Sequence, residues 1–334
     1  MSETAQVPSV TDRAKPVAAG APVVGIHFLG QTAAFVLGEE TVLLVAPDGA
    51  ESRVAIHAGG ILSVASDSAR VLTGGDDGKV AATSANGESE TLATDAKHRW
   101  IDRVAFGPDG AIAWSAGKQV FVRTAKGEVK SLDLPSSAGG LAFAPKGLRL
   151  AIAHYGGASL WFPNAQAAPE RLEWKGSHLD ALFSPDGKFL MTAMQEPMLH
   201  GWRLMDGKDM RMSGYSGKVG SMAFTAGGKW LATAGSEQLI LWPFSAKDGP
   251  MGKQPRMVAP YQSRVVAVAC HPRQEIVAAG FEDGLVMLAR IDDGAEILAR
   301  RPGGAPASAL AWNHDGSKLA FGAEDGAAGI VDLA

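Results

Sequence analysis

The stretch VGSMAFTAGGKWLATAGSEQLILW, residues 219–242, decides the fold. It reads as a short apolar strand ending at Phe224, a Gly turn, a second strand from Trp230, a tight polar turn, and a third strand ending at Trp242. Gly-rich turns between runs of β-branched, aromatic and small apolar residues are the mark of short antiparallel strands. The same grammar returns along the whole chain, which points to a radial or stacked repeat rather than to a core built around one site.

The last residue of each first strand serves as a landmark: Phe28, Ala65, Phe106, Phe143, Phe183, Phe224, Cys270 and Trp312. Successive landmarks lie 37, 41, 37, 40, 41, 46 and 42 residues apart. Turns such as Pro108-Asp109-Gly110, Pro185-Asp186-Gly187 and His314-Asp315-Gly316 follow several of them. Proline presets the backbone there and glycine takes the positive φ. Second strands follow (RVLTGG, KFLMTAM, KWLATAG, KLAFGA), then polar turns at Asp76-Asp77-Gly78, Glu282-Asp283-Gly284 and Glu324-Asp325-Gly326. Third strands (SLWFP, LHGWRL, LILWPF, VMLARI) and a more polar fourth strand close each unit. Four strands in about 40 residues is the spacing of a propeller blade.

The order SPDG-KFLMTA, then GGDDGKV or GFEDGLV, then SLW, LHGW or LILW resembles WD40 repeats over residues 20–334. Single units depart from that pattern. Trp161, Trp202 and Trp242 are followed by Phe162, Arg203 and Pro243, so no Trp-Asp pair occurs, and of the usual opening histidine only His98 and His178 stand near the place. The expected fold is an all-β β-propeller of four-stranded blades, eight of them, with seven as the alternative if residues 61–94 are distorted. The eighth unit supplies only three strands before Ala334, so a segment near residues 14–19 is expected to complete it and spare an open sheet edge. The expected organisation is a flexible N-terminal tail over 1–13 and a single WD40-like domain over 14–334.

Bulk properties narrow the function. A formal charge of −4 argues against general affinity for nucleic acid. A single cysteine, Cys270, excludes internal disulfides. At a position otherwise filled mainly by Phe, it reads as a small buried hydrophobe. The N-terminus lacks the apolar run of a secretory signal, and no window is apolar enough to span a bilayer, so a cytoplasmic monomer without membrane contact is expected. No Gly-x-Gly, P-loop or Gly-x-Ser-x-Gly occurs, and the eight histidines are dispersed. Inner strands carry only Asp102 and Asp180 as carboxylates, too few for a calcium site. No catalytic residue, metal or cofactor is therefore assigned. A hydrolase or lyase at the channel mouth, near Asp102, Arg103 and Asp180, is the alternative reading.

In a propeller, the fourth-to-first and second-to-third connections share one face. Nine residues before the landmark lie Trp174, Tyr215 and Tyr261; six before lie Trp100, Lys218 and Arg264. The second-to-third connections add Tyr155, Met194 and Met198. Aromatics with Arg favour interface centres, and thioethers adapt to partners. These nine residues form the candidate surface for an acidic, apolar protein or peptide, which is the kind of partner the WD40 resemblance implies. The competing reading makes the three aromatics caps on strand packing. The longest insertion, residues 245–260, falls on the opposite face, where Lys247 and Lys253 could meet a second partner or the loop could be mere tolerated length.

Overall fold

The computed structural model describes residues 7–334. Its strands are all antiparallel within seven hydrogen-bonded sheets, six of four strands and one of six. Five of the four-stranded sheets run in chain order from an inner to an outer strand, as in the sheet Val23–Leu29, Thr32–Leu37, Thr41–Val45, Glu51–Ala55. Outer strands are the exposed ones: Glu51–Ala55 is solvated along nearly its whole length, whereas Thr41–Val45 is almost wholly buried. This is the polarity gradient read from the four strand types of each unit.

Eight separate sheets do not form; seven do, the number held as the alternative. The fourth and fifth units share the six-stranded sheet. Strand Glu170–Phe183 pairs through its first half with Leu150–Trp161 and through its second half with Phe189–Met194. Two glycines permit the close approach beneath it. A Cβ on Gly139 would lie 1.9 Å from the carbonyl oxygen of His178, and one on Gly140 would lie 2.6 Å from the Cα of Asp180. The irregularity thus sits between units four and five. Residues 61–94 instead form a four-stranded sheet of their own, Ile61–Ser66, Arg70–Gly75, Lys79–Ser84 and Ser89–Thr94.

A buried residue stands at or just before the inner segment of each unit: Val23, Ile61, Ile101, Ala138, His178, Val219, Val265 and Ala307. Counting five residues onward reproduces every landmark except the second, which is Ser66 rather than Ala65. In five units the next residue is skipped by the ladder: Val24, Leu62, Leu179, Val266 and Ser308. Such a bulge adds local twist, which a strand lining a narrow axis needs. Apolar cores fill the spaces between neighbouring sheets. One joins Phe189, Met191 and Leu199 of unit five to Leu231, Trp242 and Phe244 of unit six. Each fully buried side chain of this size contributes about 1.5–3 kcal/mol before entropy is charged.

The ring closes as the missing strand requires. Ala14–Ala18 pairs antiparallel with Ala327–Asp332, from Ala14 opposite Val331 to Ala18 opposite Ala327. Pro16 is tolerated because this is the outer edge strand. Of the tail expected over 1–13, residues 1–6 lie outside the described residues. Leu298 donates its N–H to Pro8 O at 2.8 Å, and Val10 donates to Leu298 O at 2.9 Å. Around the ring, Val23–Leu29 packs against the inner strands of both neighbouring units, Ile61–Ser66 and Ala307–Trp312.

Candidate functional site

Two registers on the connection face behave differently. The position nine residues before the landmark is buried in four units, as Ala19, His57, Leu134 and Tyr215, half-buried at Trp174 and Tyr261, and exposed at Lys97 and Gly303. The four buried side chains plug the top of their own unit. The position six before points outward, with Trp100 60% exposed, Lys218 exposed and Arg264 half-buried. Aromatics read from the first of these registers therefore do not make a row along the rim.

Tyr215 is the clearest correction. It is buried in the core between units five and six. Its hydroxyl accepts a hydrogen bond from Trp242 Nε1–H at 2.7 Å and meets Thr233 Oγ1 at 2.9 Å. Thr233 in turn donates to Ile240 O, so the tyrosine proton goes to Thr233. Burial pushes the Tyr215 pKa up to about 12. Unit two builds the same kind of network with His57, a histidine passed over in the sequence. His57 Nδ1 donates to Asp77 Oδ1 at 3.0 Å, and its Nε2 lies 2.9 Å from Thr73 Oγ1. In unit five His178 donates from Nε2 to Trp174 O at 3.1 Å and lies 2.8 Å from Thr192 Oγ1. Polar plugs thus tie the second strands of three units to the connections above them. His98, the other candidate for that place, stands in a turn at φ 51°.

Four of the nine candidate residues meet in one cleft of about 820 Å³: Tyr155, Trp174, Met194 and Met198. It lies over the shared sheet, where the register shifts between Tyr155 and Gly157. Tyr155 is 67% exposed. Met194 is buried and Met198 half-buried, so the thioethers form floor rather than rim. Lys175, Glu196 and Arg211 supply charge at the wall. Gly176 sits at φ 119°, where a Cβ would come within 2.7 Å of Met194 Cε. Half-buried Trp174 stacks on His200, with ring centroids 4.1 Å apart and planes 17° apart. His200 is fully buried and neither ring nitrogen has a hydrogen-bond partner among the described residues. Burial, the main cause, lowers its pKa to about 4, so Trp174 rests on a neutral imidazole. Sequence reasoning missed Lys175, Arg211 and His200, which belong to strands whose pairing had to be seen first, and Glu196 in the turn after Phe189–Met194.

The other candidates lie apart from this cleft. Tyr261 is half-buried, edge-on to Phe281 at 5.2 Å. Arg264 is engaged by the Glu282 carboxylate. Lys218 is exposed, in the connection leading into unit six. At the channel mouth, Arg103 donates from Nε to Gly139 O and from Nη1 to Asp102 O, both at 2.6 Å. Desolvation raises the Asp180 pKa against the opposing effects of Ala181 N–H and Arg103. Cys270 is half-buried; its thiol lies 3.5 Å from Ala223 O, and burial pushes its pKa up to about 12. A thiol held protonated in this way is a poor nucleophile.

Antiparallel sheets arranged around an axis, with inner-to-outer strand order and an N-terminal strand completing the last sheet, define a β-propeller. The structure is similar to the crystal structure of the computationally designed Ika8 protein, with a TM-score of 0.77 and 16% identity over 93% of this chain and 96% of that one. Residues 208–242 match the family described as WD domain, G-beta repeat, and residues 268–334 match the anaphase-promoting complex subunit 4 WD40 domain. No curated protein matches the chain. The chain therefore folds as a β-propeller, and over residues 208–242 and 268–334 it resembles WD40 domains, a class that generally serves as protein-interaction scaffolds.

Proposed function

We propose that the protein is a non-enzymatic scaffold that seats an acidic, apolar segment of a partner protein in the cleft over units four and five. The observation that carries the reading is the convergence of Tyr155, Trp174, Met194 and Met198 with Lys175 and Arg211 in one concavity. Aromatic and thioether walls reward an apolar side chain, while two cations against the single carboxylate of Glu196 favour acidic neighbours. Trp100, exposed on the same face, extends the surface toward unit three. The alternative of hydrolysis or elimination at Asp102, Arg103 and Asp180 gains less support, because the Arg103 guanidinium is spent on two backbone carbonyls.

Peptide display on the immobilised full chain tests this reading. Binders are expected to be rich in acidic and apolar residues. Tyr155→Ala and Lys175→Glu, both at exposed positions, are expected to weaken the selected peptides about tenfold without moving the melting temperature. Binders indifferent to both substitutions would refute the proposal.

A further inference from the structure

On the opposite face, the turns that join first to second and third to fourth strands border a second concavity. Two clefts, about 650 Å³ and 470 Å³, share Asp186, Phe189, Phe244 and Ser245 and run together between units five and six. Their floor is aromatic. Phe189 and Phe244 are buried and meet edge to face at 5.3 Å. At the lip stands Met205, 70% exposed in the turn after Leu199–Arg203. Among the described residues it is the most exposed of the large hydrophobic side chains.

One wall of this groove is the start of the insertion over residues 245–260, and it is anchored rather than loose. Asp248 on the insertion forms an ion pair with Arg203 of unit five. Gly249, at φ 58°, folds onto the Phe189 ring, where an added Cβ would stand 3.0 Å from Cζ. Pro250 is buried behind it. A groove with a fixed wall spends little conformational entropy on closing around a ligand.

Charge says what the groove admits. Its acids are paired: Asp206 and Asp248 share Arg203, and Asp186 meets Lys188 and the Ser184 hydroxyl. Lys229 and Lys247, both exposed on its borders, have no ion-pair partner among the described residues. Four cations, Lys188, Arg203, Lys229 and Lys247, thus face three carboxylates around an apolar floor, and the balance is positive.

We infer that this groove is a second docking site, for an extended acidic segment of a partner protein that places a leucine- or methionine-sized side chain beside Met205 and carboxylates beside Lys229 and Lys247. The protein then holds two ligands on opposite faces of one rigid disc. The site does not depend on the cleft over units four and five.

The test uses the full chain and a random peptide display library as probe, with the selected peptides then titrated by fluorescence polarisation. One class of binders is expected to be acidic and apolar, to weaken as salt rises, and to lose at least about tenfold in affinity on Met205→Asp and about fivefold on Lys247→Glu. The same class is expected to bind Tyr155→Ala unchanged. Lys247 is exposed and makes no side-chain contact that folding needs, so its variant reports even where Met205→Asp lowers stability. The proposal is overturned if no acidic-apolar class depends on either residue, if that class is lost on Tyr155→Ala, or if sedimentation shows that the groove instead pairs two copies of this chain through Met205.

Discussion

Replacing Tyr215 by Phe separates a plug from a binding residue. The ring stays packed among Met212, Val219 and Trp242, so no cavity opens. What disappears is one oxygen, which accepts from Trp242 Nε1–H at 2.7 Å and donates to Thr233 Oγ1 at 2.9 Å. Thr233 still reaches Ile240 O, so its hydroxyl stays satisfied. The indole N–H does not, and an orphaned buried donor costs about 1–3 kcal/mol. We take about 2 kcal/mol, which lowers the melting temperature by about 3 °C for a chain of this size. Tyr215→Ala also empties the space of the ring and is expected to cost more, about 3–5 kcal/mol. Thermal and urea unfolding measure both. A pH arm sharpens the test. The folded-state pKa lies near 12, above the ordinary value of 10. Neutral Tyr215 therefore contributes fully below pH 10, and its contribution falls as pH rises from 10 toward 12, because only the unfolded chain ionises there. Tyr215→Phe removes that slope. A Tyr215→Phe protein that melts within about 1 °C of the parent would refute the network's role and return Tyr215 to the surface reading.

Two further outcomes follow from closure and from the buried imidazole. Deleting residues 1–20 removes the strand Ala14–Ala18 and the buried Val17 and Ala19, and bares the edge of Ala327–Asp332. The melting temperature is expected to fall by several degrees, and an unchanged transition would dismiss the seam as a stabilising element. His200→Phe fills the same space without two unpaired nitrogens, a swap that is near neutral at pH 7 because no partner is left unmet. The histidine pKa falls from 6.5 unfolded to about 4 folded, so the parent loses stability as pH drops from 6.5 toward 4. His200→Phe is expected to flatten part of that slope in urea midpoints; an identical slope would remove His200 from the acid sensitivity.

The fold was legible because strand spacing and turn chemistry are local properties. Period, strand order and the N-terminal closure all follow from where the Pro-Asp-Gly turns and apolar runs stand. The sheet count was less legible, since it depends on how Gly139 and Gly140 let two inner strands approach, and nothing local announces that their carbonyl neighbours lie in residues 178–180. The site was half legible for a related reason. Equal spacing finds residues that share a register, but whether that register is buried in a given unit depends on how its connection packs onto the strands below. His57 and Ala19 stand at the same place as Tyr215 and are buried with it. The same register holds exposed Lys97 and Gly303 in other units, so its burial is decided unit by unit and spacing alone does not announce it.

That distinction bears on how such a propeller acquires binding surfaces. Inward positions are held by networks that cost stability when altered, as with Trp242, Tyr215 and Thr233. Outward positions such as Trp100 and Lys218 carry no such load and are free to change. The cleft over units four and five arises where the two kinds meet. The long strand Glu170–Phe183 leaves the regular blade geometry there, so Trp174, at the register of Tyr215, lies over His200 instead of sealing its unit as Tyr215 does. An irregular sheet thus turns a plug into the floor of a cavity, and exposed Tyr155 stands at its edge because the same register shift passes beside it.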